Sequence, residues 1–275
     1  MSVHQATIES QPQQPKTSQR SIWSCHREAR WVLRYVWLSL FIAILFFATI
    51  IAVIKANLAR LDTHGGCNGC GTYIGDNWNI LPDYSGRPTM TAIIVEQSAT
   101  VYAGLFIVLF LITGVITIAL HCAELIIILT RDETTWRHCS STKPYVPRQN
   151  SAIRAATSWP YVVLFVLKVV LHWISGKGVT YVYNWGIFLR PPQLLYLAIG
   201  MCVMGAFTTF LCFNAPRGPQ PATFGHIQTL VNLTDDWSLL LFWGDKGLKD
   251  RGAGIRHAGT AGTSLRPVLL DALYE

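Results

Sequence analysis

The stretch Tyr35–Ile54, which reads YVWLSLFIAILFFATIIAVI, contains twenty residues and no charged side chain. An α-helix rises about 1.5 Å per residue, so about 20 apolar residues cross the hydrocarbon core of a bilayer. Arg34 precedes the stretch, Lys55 follows it, and Trp37 near one end is typical of a membrane–water interface. The stretch therefore predicts a transmembrane helix.

The composition of the whole chain also indicates a membrane protein. Of its 275 residues, 51% are hydrophobic and 13% are charged, whereas a soluble domain carries about 25% charged residues. This excludes a disordered chain and a highly charged nucleic-acid-binding protein, so we expect no nucleic-acid partner. The net charge of +7 indicates instead that Lys and Arg gather on one side of a lipid bilayer, the main partner of the folded body.

Three further apolar stretches predict spans near residues 97–130, 159–176 and 193–213. The stretch at 159–176 is short and contains Lys168 and His172, so a full crossing, a re-entrant segment and an interfacial helix all remain open. We favour the crossing. The resulting prediction is an all-α membrane protein with four transmembrane helices.

The spans divide the chain into three parts. Residues 1–30 form an N-terminal arm that we expect to be disordered, since its first twenty residues are rich in Gln, Pro and Ser. Residues 31–215 form a membrane body with its first span near 35–54, and residues 216–275 form a small ordered tail module. No apolar run precedes Trp31, so we expect the first span to act as an uncleaved insertion signal.

The distribution of basic residues predicts the orientation in the membrane. With four crossings, sixteen Lys and Arg residues lie on the side of the arm, the loop after the second span and the tail, and five lie on the other side. Cytosolic segments of membrane proteins carry the excess of positive charge. Both termini are therefore expected in the cytosol, in a membrane that these residues do not identify.

Four polar residues within the predicted spans are candidates for function: His121, Glu124, Lys168 and His172. His121 and Glu124 share a helix face, and Lys168 on an antiparallel third span lies at a similar depth. They predict either a proton relay or ion site, or a Glu124–Lys168 pair that neutralises two buried charges and fixes helix register. We favour the pair. A haem between His121 and His172 is disfavoured, and we predict no cofactor, no metal and no catalytic residue.

Cys67 and Cys70 lie in the loop between the first two spans, which we place outside the cytosol. Disulfides form there, so a local disulfide is the first interpretation. Unpaired cysteines and a redox pair are the alternatives. With His64 nearby, the set is one ligand short of a structural zinc site.

The tail contains apolar residues at roughly helical spacing up to Trp237, then a glycine-rich segment at 252–262 around Arg256 and His257. The glycines lack the Gly-Lys-Ser/Thr ending of a phosphate-binding P-loop. Turns and close backbone packing therefore explain them better than a phosphate cradle. We expect the tail to pack on the membrane body or on a partner.

Two motifs resemble the signatures of a family of fungal integral membrane proteins that has no assigned activity. The first motif is His121-Cys-Ala-Glu-Leu followed by Arg131-Asp-Glu and Trp136-Arg137. The second motif lies in the tail and includes His226, Gln228, Asp235, Asp236, Trp237, Asp245, Lys246, Arg256 and His257. The resemblance covers about Gly114 to Glu275. Here Ile126–Ile128 separates the halves of the first motif, where the signature has a polar residue.

The leading functional hypothesis is a non-enzymatic multi-pass membrane protein, a scaffold or accessory factor whose cytosolic loop and tail contact a protein partner. It rests on ordered cytosolic segments and on the lack of a catalytic constellation in the sequence. A small transporter or channel that uses Glu124, His121 and Lys168 is the alternative. Four spans enclose little volume, so transport would require a homo-oligomer. A membrane-bound enzyme comes third.

Overall fold

The structure, a computed structural model, describes residues 12–64, 91–93, 99–139, 158–182, 186–238, 240–250 and 254–275. Cys67 and Cys70 fall outside these ranges. The helices are α1 (Ile22–Cys25), α2 (Arg27–His64), α3 (Ala99–Cys139), α4 (Trp159–Gly178), α5 (Pro191–Phe213) and α6 (Ile227–Leu233). The strands are β1 (Thr91–Ile93), β2 (Val179–Val182), β3 (Gly186–Leu189), β4 (Phe242–Asp250) and β5 (Ile255–Ala261).

Four helices are long and apolar enough to cross a membrane: Arg27–Ala52 of α2, Phe106–His138 of α3, and all of α4 and α5. This confirms the prediction of an all-α membrane protein with four candidate spans. The third candidate, α4, is a continuous helix of 20 residues, which is long enough for a crossing despite its lysine and histidine. Helix α3 has 41 residues, about twice the length that a bilayer core requires.

The chain divides into two compact units. The helical unit contains Glu28–Leu125 and Ala156–Phe210, and the terminal unit contains Met1–Arg27, Ile126–Ala155 and Leu211–Glu275. Large apolar side chains are exposed on the helices of the helical unit, Phe106, Phe110 and Phe165 among them. A surface of this kind suits a hydrocarbon solvent and not water.

Glycines allow close packing between helices of the helical unit. A Cβ atom on Gly200 of α5 would lie 2.6 Å from Leu171 Cδ2, and one on Gly178 would lie 2.8 Å from Leu194 Cδ2. Both distances are shorter than real Cβ contacts, so a larger residue at either position would have to displace a leucine side chain. Small residues at helix interfaces are typical of membrane proteins, in which close packing replaces the hydrophobic effect.

A three-stranded antiparallel sheet in the order β1-β3-β2 belongs to the helical unit. Val179 and Thr91 both pair with Leu189 on the central strand. The sequence analysis predicted no strands, yet the segment after α4 is rich in β-branched and aromatic residues, which favour strands. The short hairpin of β2 and β3 fills the interval before α5.

The terminal unit is built around the antiparallel hairpin of β4 and β5, in which Trp243 pairs with Thr260 and Gly244 with Gly259. A Cβ on Gly259 would lie 1.8 Å from Asp235 Oδ2, and one on Gly244 would lie 2.5 Å from the Arg266 carbonyl oxygen. The predicted close backbone packing is therefore present at Gly259. The paired strands were not predicted.

The N-terminal arm differs from the disordered segment that the sequence predicts for residues 1–30. Gln13 and Tyr274 exchange two backbone hydrogen bonds of 2.9 and 3.0 Å, and Gln19 N donates to the Pro216 carbonyl over 2.9 Å. Ile22 of α1 is fully buried. The described part of the arm, from residue 12, is held by main-chain bonds to the tail. Composition does not reveal such bonds, because every residue type except proline can donate them.

Candidate functional site

The predicted pairing of Glu124 on α3 with Lys168 on α4 is present in the helical unit. Lys168 Nζ donates to Glu124 Oε2 over 2.7 Å, and His121 Nδ1 lies 3.2 Å from the same oxygen. The Glu124 and Lys168 side chains are each 29% exposed. His172 is exposed and, among the described residues, forms no bond with the other three. The predicted cluster therefore contains three residues and not four.

The Glu124–Lys168 pair neutralises two charges within segments that are candidates for crossing a bilayer. An unpaired charge there is costly, and a pair with a direct hydrogen bond reduces the cost. The hydrogen bond joins α3 to α4 at this position. The carboxylate also connects the amine to the exposed imidazole of His121, so the three groups form a short chain of hydrogen-bonding partners.

In the terminal unit, Glu133 near the end of α3 is the centre of a buried hydrogen-bond cluster. Its Oε2 accepts from the backbone N–H of Thr223 over 2.8 Å and from that of Phe224 over 2.9 Å. Its Oε1 accepts from Arg137 Nε over 2.7 Å. Thr223 Oγ1 also donates to Oε2 over 3.3 Å. The Glu133 side chain is only 5% exposed, so this carboxylate replaces its lost water with four donors.

Two more residues of the first motif bind the same segment of the tail. Arg137 Nη1 donates to the Arg217 carbonyl over 2.8 Å, and Nη2 donates to the Gln220 carbonyl over 3.0 Å. Trp136 Nε1 donates to the Pro221 carbonyl over 3.3 Å. We call these contacts of Glu133, Trp136 and Arg137 with residues 217–224 the α3 clamp. The sequence identifies the first motif but does not predict that it binds residues 217–224.

Gly225 and His226, at the start of the second motif, directly follow the clamp segment 217–224. Gly225 has φ +74°, and a Cβ there would lie 3.1 Å from Asp132 Oδ2. Both the left-handed backbone and the close approach favour glycine. His226 caps α6, since its Nδ1 accepts from Thr229 N over 3.3 Å. Gln228 on α6 is exposed.

Asp235 and Asp236 join the hairpin. Asp235 Oδ2 lies 2.7 Å from His257 Nε2 and 3.4 Å from Lys246 Nζ, while the backbone N–H groups of both aspartates donate to Thr260 Oγ1. His257 Nδ1 lies 2.9 Å from the Glu275 carbonyl oxygen. Both nitrogens of the imidazole therefore have an oxygen partner.

Asp245 and Arg256 form the second ion pair of the hairpin. Arg256 Nε donates to Asp245 Oδ2 over 3.0 Å, Nη2 donates to the same oxygen, and Gly247 N donates to Oδ1 over 2.9 Å. Burial acts to raise the pKa of Asp245, but the hydrogen bonds from Arg256 and Gly247 and the charges of Arg256 and Arg266 outweigh it and lower the pKa. Asp245 is therefore a structural anion.

The terminal unit also exposes large apolar side chains. Ile227 and Val231 lie four apart on α6, which buries none of its residues, and Ile227 is 76% exposed. Trp237, a predicted motif residue, is 70% exposed. We refer to the exposed residues Ile227, Val231 and Trp237 together as the apolar face of the tail. The sequence predicts that the tail packs on the membrane body or on a partner.

In the described part of the chain, no group of three or more His, Cys, Asp or Glu residues could hold a metal ion. No protein-family model matches the chain, and no curated protein or solved structure matches it either. The resemblance to fungal membrane proteins therefore stays a prediction. The structure supports a classification by architecture: an all-α membrane protein with four candidate spans and a terminal unit that contains a β-hairpin.

Proposed function

We propose that this protein is a non-enzymatic multi-pass membrane protein that acts as a scaffold or accessory factor through its terminal unit. The observation that carries the proposal is the use of the charged motif residues. Glu133, Arg137, Asp235, Asp245 and Arg256 bind one another or the backbone of their own unit. These contacts hold the terminal unit together, which supports a structural role for the charged residues of both motifs.

The apolar face of the tail is the proposed contact with a protein partner. Ile227 and Val231 lie on one side of α6 because residues four apart in a helix are neighbours. Exposed aromatic and aliphatic side chains are typical anchors of protein interfaces. Contact with a second copy of this chain would use the same surface and give a homo-oligomer.

Site-specific photo-cross-linking of the full chain in cells tests this proposal. A photoreactive residue in place of Val231 should give a discrete cross-linked protein species, and one in place of Leu248 serves as the control. Leu248 is also exposed in the terminal unit but lies on β4. Ile227→Asp should abolish the Val231 cross-link. Cross-links of equal strength at both positions, or none at Val231, would contradict the proposal.

The proposed orientation places both termini in the cytosol, and the positive-inside distribution of basic residues supports it. Asn232-Leu233-Thr234 is a glycosylation sequon, and Asn232 is exposed on α6. In a eukaryotic host, a cytosolic tail should give no glycosidase-sensitive shift, and a C-terminal tag should be cleaved by protease added to the cytosolic side. Glycosylation at Asn232 would place the tail in the lumen and refute this orientation.

The alternative function is a small transporter or channel, which the chain of His121, Glu124 and Lys168 favours. Proteoliposomes that contain the wild-type protein should then carry a proton or cation flux, and Glu124→Gln should abolish that flux in a protein that is still well folded. Under the scaffold proposal, wild-type proteoliposomes carry no flux above that of empty liposomes. The same measurement therefore separates the two functions.

A further inference from the structure

The ion pair of Glu124 and Lys168 lies near the middle of the third candidate span. Helix α4 has 20 residues, and at about 1.5 Å per residue its length matches a hydrocarbon core of about 30 Å. Lys168 comes nine residues after Trp159, the first residue of α4. Glu124 of α3 is at the same level, because Lys168 Nζ donates to its Oε2 over 2.7 Å. A span formed by α4 therefore carries this pair at the centre of the bilayer.

Two histidines lie on the same side of this ion pair. His121 precedes Glu124 by three residues, and His172 follows Lys168 by four residues. Consecutive spans run in opposite directions, so both histidines are displaced toward the same end of the two helices, by about 4.5 and 6 Å. His121 and His172 are therefore at similar depth on neighbouring helices, still within the bilayer core.

Both imidazoles are exposed on the surface of the helical unit. The His121 side chain is 66% exposed, and His172 is exposed as well. Leu125 and Val169, one turn away on the same two helices, are also exposed, so the rings project from helix faces that are otherwise apolar. Lipid chains offer no hydrogen-bond partner, and a polar group exposed to them is costly. A protein surface that supplies the partners would remove this cost.

The two rings have complementary hydrogen-bonding needs. His121 Nδ1 lies 3.2 Å from Glu124 Oε2; a carboxylate only accepts, so Nδ1 donates and Nε2 of the neutral ring is an acceptor. The neutral ring avoids an unbalanced cation in the bilayer, since Lys168 already balances Glu124. A neutral His172 ring carries one N–H donor, and no described residue accepts from it. One ring therefore lacks a donor and the other lacks an acceptor.

We propose that this face of α3 and α4 is the interface of a homodimer, in which His121 Nε2 of each copy accepts from the His172 N–H of the other copy. A twofold interface is self-complementary, so each contact occurs twice. A twofold axis along the membrane normal keeps corresponding residues at the same depth, as this pairing requires. The occupant is a second copy because one chain supplies both the missing donor and the missing acceptor. The interface belongs to the helical unit and is separate from the apolar face of the tail.

Subunit counting tests the dimer. The full-length protein, with a single fluorophore on each chain, is reconstituted in phosphatidylcholine vesicles over a range of protein-to-lipid ratios. Single-molecule photobleaching then distinguishes monomers, which bleach in a single step, from dimers, which bleach in two steps. We expect wild-type dimers that dissociate on dilution in lipid, and the dilution series gives their dissociation constant.

Replacing either histidine should weaken the dimer. His172→Phe keeps an aromatic ring and removes both nitrogens, so the loss of both symmetry-related hydrogen bonds should raise the dissociation constant about tenfold. His121→Phe should have a similar effect. Because His172 forms no hydrogen bond with described residues of its own chain, His172→Phe should leave the Tm of the dilute monomer unchanged. Thr49→Val removes a polar group from the exposed surface of α2 and is the matched control, with wild-type dimerisation expected.

Mixing the two variants tests the reciprocal pairing itself. A His121→Phe copy still carries the His172 donor, and a His172→Phe copy still carries the His121 acceptor, so a mixed dimer keeps one of the two hydrogen bonds. The mixed dimer should therefore be about threefold tighter than the dimer of either variant alone. Two-colour photobleaching of vesicles with both variants should show more mixed dimers than random pairing gives.

The dimer is tested independently of the proposed partner surface, because Ile227→Asp in the tail should leave the dissociation constant unchanged. Monomers at every protein-to-lipid ratio would overturn the proposal, as expected if lipid headgroups or another protein cover this face. Equal dissociation constants for the wild type and His172→Phe, or random pairing of the two variants, would overturn it as well.

Discussion

Replacing Glu133 should release residues 217–224 from the end of α3. In Glu133→Ala, the backbone N–H groups of Thr223 and Phe224 lose their acceptor, at about 1–3 kcal/mol each. The lost pair with Arg137 adds at most about 1 kcal/mol, since that arginine is 20% exposed and its charge is partly screened. With about 2 kcal/mol for each amide, the middle of that range, the free energy that holds the segment should fall by about 4–5 kcal/mol.

Hydrogen–deuterium exchange on the protein in nanodiscs measures this release. Because about 1.4 kcal/mol corresponds to a factor of ten, the amides of Thr223 and Phe224 should exchange about three orders of magnitude faster, at roughly 10³-fold. Glu133→Gln keeps an oxygen for the two amides but loses the charge. It should accelerate exchange by only about tenfold.

The control is Lys249→Gln, because Lys249 pairs with Glu275 at the surface and belongs to the β4 strand, not to the clamp. Its exchange at Thr223 and Phe224 should match that of the wild type. If Glu133→Ala also leaves these two amides as slow as in the wild type, the α3 clamp does not hold the segment and the reasoning is wrong.

Three further predictions concern other contacts of the described residues. Glu124→Lys or Lys168→Glu alone should lower the amount of protein that accumulates in membranes, while the double exchange restores it; quantitative immunoblotting decides, and a double variant as poor as the singles would refute the pairing. The folded-state pKa of Asp245 is lowered, so its stabilisation is present above about pH 4 and is lost as the pH falls through that folded pKa. The Tm of the wild type should therefore drop in acid more steeply than that of Asp245→Asn, and parallel pH profiles would contradict this. Gly259→Ala forces a Cβ onto a carboxylate and should destabilise the terminal unit by about 1–3 kcal/mol, measured by urea denaturation, whereas Gly114→Ala, which meets open space, should cost nothing measurable.

The sequence predicts the spans and the Glu124–Lys168 pair because both depend on the fixed rise of a helix. A run of apolar residues must be helical to satisfy its backbone in a bilayer. The depth of Lys168 follows from counting residues along α4, and so does that of Glu124 along α3. His172 differs, since it lies four positions from Lys168 on α4 but does not join the cluster.

The terminal unit was less predictable because its contacts join distant parts of the chain. Glu133 accepts hydrogen bonds from Thr223 and Phe224, about ninety positions later in the chain. No local sequence pattern predicts partners at that distance. The β4–β5 hairpin is glycine-rich, which argues against a strand by propensity. Gly244 and Gly259 nevertheless permit the close approach of Arg266 and Asp235, a tertiary reason that local sequence cannot reveal.

The α3 clamp has a consequence for biosynthesis. Translation proceeds from the N-terminus, so Glu133 is synthesised long before α5 and the tail segment that supplies three of its donors. Until that segment has been synthesised, Arg137 is the only one of the described donors to Glu133 that the chain contains. The clamp can therefore close only after α5, the fourth candidate span, has been synthesised.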